Sequence, residues 1–484
     1  LGVAWMLGGI TLATALAMLC KGSGVLLPLL AWVVESTVFR HEAAFGDSVA
    51  AQKRLARIKF FLLILPSLCL FYYVFADALR WNAPLAKRPW TIAERLLTEP
   101  RVVVNYLALL LVPRSVSTGL YNDDYIVSSS LWQPAGTLPA LLLIVGLIVS
   151  GICLRRRAPA FAAAILFYFA GHLLESTSVA LELYFEHRNY LPALLLFWPL
   201  ARVLCKWKFA LAPRVAIAVA LLAICGVTTY QRAELWGKPG KLAALWAIQN
   251  PDSSRAQATA AIADLKAGRP ALALQKLAPL WKQRPHDLQI AFNAINAACA
   301  TRGLNDADKH ALAEALHHTP TGQLLMYRWI GNAIDVADAH GCQGLALSDV
   351  EQWIDASLQN PVLGNPHVRG QNIEPLLAQI AISRKQPDNA LSHFNNALAA
   401  LVTPDVAARQ ASDLAEAGYY EQALAHLDAY ERLKPHVRRP GLGMQWLHAK
   451  VLQWEDYWPS EMALLRKKLH AAIAQRDAVK FRQQ

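Results

Sequence analysis

The amino-acid sequence predicts an all-α protein in two parts, a polytopic transmembrane helix bundle followed by an α-solenoid of helical repeats. Of its 484 residues, 55% are hydrophobic and 17% are charged, whereas soluble globular chains have roughly 45–50% apolar and about 25% charged residues. Nearly all the long apolar runs lie in residues 1–230, and the sequence that follows is rich in Ala and Leu with helical periodicity. We therefore expect a membrane region at 1–230, a linker at 231–253 and a repeat domain at 254–484.

Seven apolar runs in the first region are candidates for spanning helices, which need about 20 mostly apolar residues. They are Leu1–Leu19, Val25–Phe39, Ile58–Phe75, Thr137–Cys153, Ala158–Leu174, Tyr190–Leu204 and Phe209–Thr228. The first run begins without an initiator methionine or the pattern of a signal peptide. We therefore expect the sequence to begin inside a larger membrane protein.

Basic residues in the short loops orient these runs. They are Arg40, Lys53, Arg54, Arg57 and Lys59 after the second run, Arg155, Arg156 and Arg157 after the fourth, and Lys206 and Lys208 after the sixth, flanked by Arg202 and Arg214. The positive-inside rule places these loops in the cytoplasm. We therefore expect a multi-pass membrane protein whose repeat domain lies on the extracytoplasmic side. Because the loops hold much of the basic excess behind the net charge of +12, we expect the lipid bilayer as a partner and no nucleic acid.

The long loop at about 77–134 is predicted on the extracytoplasmic side. Its apolar stretch Val102–Val112, ended by Pro113, predicts an amphipathic helix along the membrane surface. Asp123 and Asp124 in YNDDY are weak candidates for catalytic residues, since paired carboxylates serve acid–base chemistry or metal binding. The alternative is an ordinary turn, which Asn and Asp favour.

A cluster of ionisable residues precedes the sixth apolar run. Glu175, Glu182 and Glu186 are spaced to share one face of a predicted helix, with His172 near that face. Arg188 at its end would bind a lipid-linked phosphate through paired, charge-assisted hydrogen bonds. Two alternatives stay open: interfacial anchors in an aromatic belt, and a metal site. The belt would include Tyr184 and Tyr190, and the metal site would use His172, Glu175 and His187.

Three segments resemble one protein family. They are CKGSGVLLPLLAWVVE at Cys20–Glu35, the ERLL…NYLALLLVP…GLYNDDY loop, and FEHRNYLP. The family comprises the transmembrane-and-TPR O-mannosyltransferase-like proteins and their bacterial relatives, in the GT-C class of lipid-phosphate-sugar glycosyltransferases. There, a lysine-containing motif precedes a spanning helix, as Lys21 does here. A Glu/Arg pair before Tyr-Leu-Pro opens a late span, as Glu186 and Arg188 do.

The resemblance implies transfer of a sugar from a polyprenyl-phosphate carrier to a protein acceptor on the extracytoplasmic side. The lipid-linked sugar would be the donor; no cofactor is assigned, and a divalent metal is left open. The predicted substrate-binding residues are Lys21, His172, Glu175, Glu182, Glu186, His187 and Arg188. In this family the acidic catalytic residue lies in the first extracytoplasmic loop, beyond which we expect this chain to begin. The catalytic residue is therefore left unassigned.

The second region predicts tetratricopeptide (TPR)-like repeats. KAGRPALALQKLAPLWKQRP and EAGYYEQALAHLDAYERLKP place Gly, Ala and Pro at the TPR spacing, and SRKQPDNALSHFNNALAAL lies about 33 residues before the last unit. The predicted structural positions are Gly268, Ala273, Pro285, Ala390, Phe394, Gly418, Ala423 and Pro435. A generic array of helical hairpins is the alternative. Stacked units would form a concave surface for a protein or peptide acceptor.

Seven cysteines complete the pattern, five of them in or beside apolar segments. Cys299 and Cys342 are the two in the second region, and they would form a disulfide only in an oxidising compartment. The sequence has no P-loop, dinucleotide fingerprint, zinc pattern or nucleophile elbow. A glycosyltransferase with TPR repeats is the leading hypothesis. The alternatives are a non-catalytic membrane-anchored TPR scaffold for envelope assembly, and a carrier or polymerase of lipid-linked glycans.

Overall fold

A computed structural model describes residues 2–39, 49–80, 90–114, 119–206, 210–320, 324–364, 369–434 and 444–483. Over these residues the chain is helical and contains no β-strand, which confirms the all-α prediction. The chain divides into two compact units, Leu1–Ala256 and Gln257–Gln484.

The first unit is built from apolar helices joined by short irregular segments. A 3-10 helix at Gly22–Leu26 precedes α2, and a π-helical turn at Phe60–Ile64 joins α3 to α4. The α-helices are α1 (Gly2–Cys20), α2 (Leu27–Thr37), α3 (Val49–Lys59), α4 (Leu65–Ala78), α5 (Ile92–Leu111), α6 (Thr137–Leu154), α7 (Pro159–His172), α8 (Trp198–Lys206), α9 (Leu211–Trp236) and α10 (Pro239–Gln249).

Three helices among the described residues are long and apolar enough to cross a membrane. They are Gln52–Ala76, Thr137–Leu154 and Leu211–Trp236, with mean hydropathies of 2.1, 2.5 and 2.1. No residue of α9 is buried by the rest of the chain, so its apolar surface needs lipid or another protein around it. The full set of seven spans stays a prediction, and Leu1 and Phe209, where two of them would begin, lie outside the described residues.

Two predicted helices of this unit are wrong. Tyr190–Leu204 is not one α-helix, since a 3-10 helix at Pro192–Leu195 precedes α8. Pro192 has no N–H for the helical ladder, which favours this break. The helix that would align Glu175, Glu182 and Glu186 ends at His172, and turns and irregular backbone follow until the 3-10 helix Glu186–Asn189. The three glutamates therefore do not share a helical face.

The predicted amphipathic helix of the long loop is confirmed, but it is longer than predicted. Helix α5 begins at Ile92, contains Pro100 and ends at Leu111, shortly before Pro113. Its apolar side packs inside the unit, where Val102 and Tyr106 are fully buried. The location of α5 at a membrane surface stays a prediction.

The second unit is an array of helices. The chain enters it through α11 (Ser254–Lys266), whose first residues belong to the first unit. The others are α12 (Pro270–Gln283), α13 (Leu288–Cys299), α14 (Asp306–His318), α15 (Leu324–Asp338), α16 (Leu347–Gln359), α17 (Glu374–Ser383), α18 (Pro387–Ala400), α19 (Pro404–Glu416), α20 (Tyr420–Leu433), α21 (Met444–Trp454) and α22 (Tyr457–Gln483).

Three helix pairs in this array share one kind of turn. In each pair, the residue two positions after the end of the first helix has a positive φ: +72° at Gly268, 57° at Lys385 and +84° at Gly418. Glycine reaches this conformation at no steric cost, so a lysine there is unusual. In the helix after each turn, a fully buried alanine allows close packing. These alanines are Ala273, Ala390 and Ala423, and Phe394 is 1% exposed beside Ala390.

Two further features of the second unit bear on the predictions. Cys299, at the end of α13, and Cys342, after α15, form a disulfide with a Cα–Cα distance of 5.3 Å. Pro285 lies in the turn between α12 and α13. Pro435 lies outside the described residues. The assignment of the array to the TPR class stays a prediction.

Candidate functional site

The inner face of helix α5 supports the site. A capping box defines the start of this helix: Thr91 Oγ1 accepts from the N–H of Glu94 (3.2 Å), and Glu94 Oε2 accepts from the N–H of Thr91 (2.8 Å). A stripe of buried residues then runs along one face, which places charged groups among apolar ones inside the unit. The stripe consists of Ile92, Arg95, Glu99, Val102, Val103 and Tyr106.

The irregular segment 173–189 packs on this stripe. Tyr106 Oη accepts a hydrogen bond from the backbone N–H of Phe185, and the rings of Tyr106 and Tyr184 lie 4.9 Å apart. Tyr184 is 3% exposed and Tyr190 is 92% exposed. The suggestion that both belong to an aromatic belt is therefore wrong for Tyr184, whose ring is buried within the unit.

Three of the predicted residues meet in one ion network. Glu175 Oε1 lies 2.8 Å from Lys21 Nζ, and Glu175 Oε2 lies 3.7 Å from Arg188 Nε. Lys21 directly follows α1, so parts of the sequence that are far apart converge here. The Lys21 side chain is 65% exposed, whereas that of Arg188 is 4% exposed. The network therefore has an accessible cation at its edge, a buried cation inside and a net positive charge.

Arg188 carries more N–H donors than it uses. A guanidinium has five donors. In the part of the chain that the structure describes, its polar partners are Glu175 at 3.7 Å and the Leu183 carbonyl at 3.3 Å. Charge-assisted hydrogen bonds are normally about 2.7–2.9 Å long. The guanidinium also lies over the Phe185 ring, 5.5 Å from its centroid, and its long polar contacts leave N–H donors available to an anion.

A second ion pair lies on the inner face of α5. Arg95 Nη2 lies 2.7 Å from Glu99 Oε1, and the two residues are 0% and 1% exposed. Burial raises the pKa of Glu99 to about 7, and the neighbouring Arg95 acts in the opposite direction. The sequence analysis missed both residues because the predicted helix starts only at Val102. The available signal is opposite charges four residues apart in ERLLTEP.

Other predicted carboxylates form contacts outside the ion network, within the first unit. Glu182 pairs with Arg255 at 3.2 Å, and Glu186 pairs with Arg232 at 3.2 Å. Asp123 lies with Asp124 in a turn; it accepts a hydrogen bond from Ser253 Oγ and lies 3.5 Å from the N–H of Arg255. Because Arg255 belongs to the first turn of α11, these contacts give Asp123 a structural use as a helix cap.

Neither histidine forms an ion pair of the network, although His172 lies near enough for the charges of Glu175 and Arg188 to act on it. His172 ends α7 and is buried, with its Nδ1 3.4 Å from Ser176 Oγ and its ring 5.7 Å from that of Tyr106. His187 is exposed, and its ring lies 5.1 Å from that of Phe185. No group of three or more His, Cys, Asp or Glu side chains with metal-site geometry occurs over the described residues.

A separate groove lies in the second unit. Its volume is about 710 Å³, and helices α15, α17, α18 and α19 contribute to its wall. The lining includes Tyr327, Gly331, Gln379, Gln410 and Asp413. Burial raises the pKa of Asp413 to about 6. Perturbed carboxylates in clefts mark candidate binding sites, so the groove is a candidate binding site of the second unit.

Sequence comparisons assign no family to the chain. No protein-family model matches the sequence, and no curated protein sequence matches it either. A function for the first unit is therefore inferred from the side chains of its ion network. A buried arginine, an accessible lysine and a shared carboxylate form a cationic site within a unit of apolar helices.

Proposed function

We propose that the chain is a membrane glycosyltransferase-like protein of the transmembrane-and-TPR O-mannosyltransferase-like type. It would transfer a sugar from a polyprenyl-phosphate carrier to a protein acceptor on the extracytoplasmic side. The observation that carries this proposal is the buried Arg188, with unused N–H donors, beside the accessible Lys21. A polyprenyl phosphate joins an anionic head to a long apolar tail, which suits a cationic site among helices fit to cross a membrane.

The chemistry assigns a role to each member of the network. In the transfer, the acceptor hydroxyl oxygen bonds to the anomeric carbon of the sugar while the bond from that carbon to the phosphate oxygen breaks. The bond electrons leave with the phosphate, and the hydroxyl proton passes to a base. Arg188 and Lys21 would stabilise the charge that grows on the phosphate, and Glu175 would hold both cations in place.

The second unit would hold the acceptor. Repeated helix pairs expose an extended surface, and the groove lined by Gln410 and Asp413 offers polar contacts to a peptide. The Cys299–Cys342 disulfide supports an extracytoplasmic location, since disulfides persist in oxidising compartments. A bacterial inner membrane with this unit in the periplasm would provide both an extracytoplasmic acceptor and an oxidising compartment for the disulfide.

A non-catalytic, membrane-anchored scaffold is the second candidate. It is favoured by the state of the acidic groups: Glu182 and Glu186 are held in ion pairs and Asp123 contacts the start of a helix. None of these three carboxylates is positioned to act as the base of the transfer. A scaffold would bind a lipid phosphate or a partner without moving a sugar.

Binding of a polyprenyl monophosphate to the full chain in nanodiscs tests the proposal. Farnesyl phosphate is the probe, and farnesol is its uncharged counterpart. We expect Arg188→Ala to weaken phosphate binding about tenfold or more, because hydrogen bonds to charged groups contribute about 1.5–3 kcal/mol, while farnesol binding stays unchanged. Arg232→Ala is the matched control, since this arginine pairs with Glu186 and is 41% exposed.

Two results would decide between the candidates. Equal affinity of the wild-type chain for farnesyl phosphate and farnesol would remove the anion site and with it the transferase proposal. Phosphate binding without transfer of sugar from a polyprenyl-phosphate-sugar, by a chain that includes any upstream sequence, would favour the scaffold.

A further inference from the structure

Arg95 is a buried charged residue of the first unit that has no role in the proposed function. It lies in α5 and is 0% exposed. Burying an arginine is costly unless its donors are satisfied and its charge is balanced. Glu99, one helical turn further on, lies 2.7 Å away. Several donors of Arg95 bind the backbone of the segment after α7.

The guanidinium of Arg95 binds four carbonyl oxygens of this segment, and that of Glu182 is the most distant, at 3.4 Å from Nη1. Nη2 donates to Glu175 O at 2.8 Å, Nε donates to Thr177 O at 2.6 Å, and Nη1 donates to Leu181 O at 2.5 Å. A buried carbonyl outside a helix or a strand needs a donor from elsewhere. Arg95 therefore supplies the bonds that regular secondary structure would otherwise provide. A lysine cannot do this, because its ammonium offers donors at a single point.

These carbonyls belong to the backbone that carries the ion network. Glu175 gives its carbonyl to Arg95 and its carboxylate to Lys21 and Arg188. Two residues after Leu181, the carbonyl of Leu183 accepts from Arg188. Arg95 thus binds the backbone of Glu175 and of the two residues before Leu183, although it lies outside the network itself.

We propose that Arg95 is the positioning residue of the anion site: it holds the backbone of residues 175–181 so that Glu175 aims Arg188 at the phosphate of a polyprenyl-phosphate ligand. This inference rests on the proposed function. It adds that affinity for the phosphate depends on a guanidinium that never touches the ligand.

Farnesyl phosphate binding to the full chain in nanodiscs tests this role, with farnesol as the uncharged probe. We expect Arg95→Lys and Arg95→Ala to weaken phosphate binding about tenfold or more and to leave farnesol binding unchanged. Backbone amide exchange should rise within 173–185 and stay unchanged in the second unit. Arg101→Ala is the matched control, since Arg101 lies in the same helix and donates to the Ile126 carbonyl at 2.8 Å, outside this segment.

Chemical rescue separates positioning from general stability. Arg95→Ala leaves a cavity of the shape of a guanidinium, so millimolar guanidinium should restore phosphate binding to this variant and leave the wild type unaffected. If Arg95→Ala does not fold, Arg95→Lys is compared with Arg95→Gln. The positive charge of lysine should not restore phosphate binding above that of the glutamine variant. Wild-type phosphate affinity in a folded Arg95 variant, with raised exchange in 173–185, would overturn the inference and leave the proposed function intact. Absence of phosphate binding by the wild type would instead overturn the proposed function.

Discussion

The Nζ of Lys21 lies 2.8 Å from Oε1 of Glu175, and this ion pair joins the end of α1 to the irregular segment after α7. The lysine side chain is 65% exposed, so water and salt screen its charge. Arg188, on the other oxygen of the same carboxylate, is 4% exposed and is shielded from both. The two cations should therefore contribute to anion binding in different ways.

Replacing Lys21 by glutamine should weaken farnesyl phosphate binding about threefold at low salt, the size typical of a screened surface pair. Near 1 M salt, where the Debye length is about 3 Å, the difference from wild type should vanish. The loss caused by Arg188→Ala should persist at both salt concentrations. Titrations in nanodiscs of neutral lipid measure this. A loss in Lys21→Gln that salt does not change would mean that Lys21 contacts the ligand in a buried position.

The ion network shows what the sequence can and cannot predict. Lys21, Glu175 and Arg188 stand out in the sequence because they are charges beside apolar runs. The predicted helical face that would align Glu175 with Glu182 and Glu186 is wrong. Only the family resemblance links Lys21 to the site in the sequence. The three residues of the network meet because a chain segment without regular structure folds onto α5, and its bonds come from Arg95. Side-chain bonds to distant carbonyls have no periodicity, so spacing rules do not reveal them.

In the second unit, by contrast, the sequence indicates two of the turns between helices. The spacing predicts Gly268 and Gly418 at TPR positions, and both adopt a positive φ in the turn between two helices. Lys385 adopts the same conformation without any glycine signal, so its turn is recognisable only from Ala390 and Phe394 that follow. A turn can be predicted from the sequence where a glycine occupies its positive-φ position. Where packing enforces the turn, only the repeat spacing indicates it.

Removal of the Cys299–Cys342 disulfide should destabilise the second unit. The two cysteines are 43 residues apart in sequence, and a cross-link closing a loop of this length restricts the unfolded chain by about 4 kcal/mol. Cys342→Ala, or wild type with a thiol reductant, should therefore be cleaved within the second unit at lower urea concentrations in pulse proteolysis. Cys225→Ala, which removes a free cysteine of the first unit, is the control. Equal urea midpoints with and without reductant would contradict this expectation.

Acid should destabilise the second unit through His426. The side chain is fully buried, its Nδ1 lies 2.8 Å from Asn395 Oδ1, and burial lowers its pKa to about 4. Because the unfolded chain binds the proton near pH 6.5 and the folded chain does not, stability should be complete above that pH. It should fall by up to about 3 kcal/mol as the pH drops from about 6.5 to 4.

A histidine replacement checks this pH dependence. His426→Gln should flatten the fall in the urea midpoint between pH 6.5 and pH 4, since glutamine gains no charge. His310→Gln, at an exposed position, should keep the slope of the wild type. The same slope in His426→Gln as in wild type would mean that another group causes the acid sensitivity.

Both the proposed acceptor role of the groove and the persistence of the disulfide require the second unit to lie outside the cytosol. Cysteine labelling tests this location. The side chain of Asp306 is fully exposed, so Asp306→Cys, with the five free cysteines replaced, presents one reactive thiol on the second unit. A membrane-impermeant maleimide should label it in cells whose outer envelope is opened and whose inner membrane is intact. Arg156→Cys, in the exposed turn between α6 and α7, should be labelled only after the inner membrane is permeabilised, because the positive-inside rule places that turn in the cytoplasm. Labelling in the opposite order would put the groove in the cytosol, where an acceptor for extracytoplasmic sugar transfer cannot reach it and where the Cys299–Cys342 disulfide would not persist.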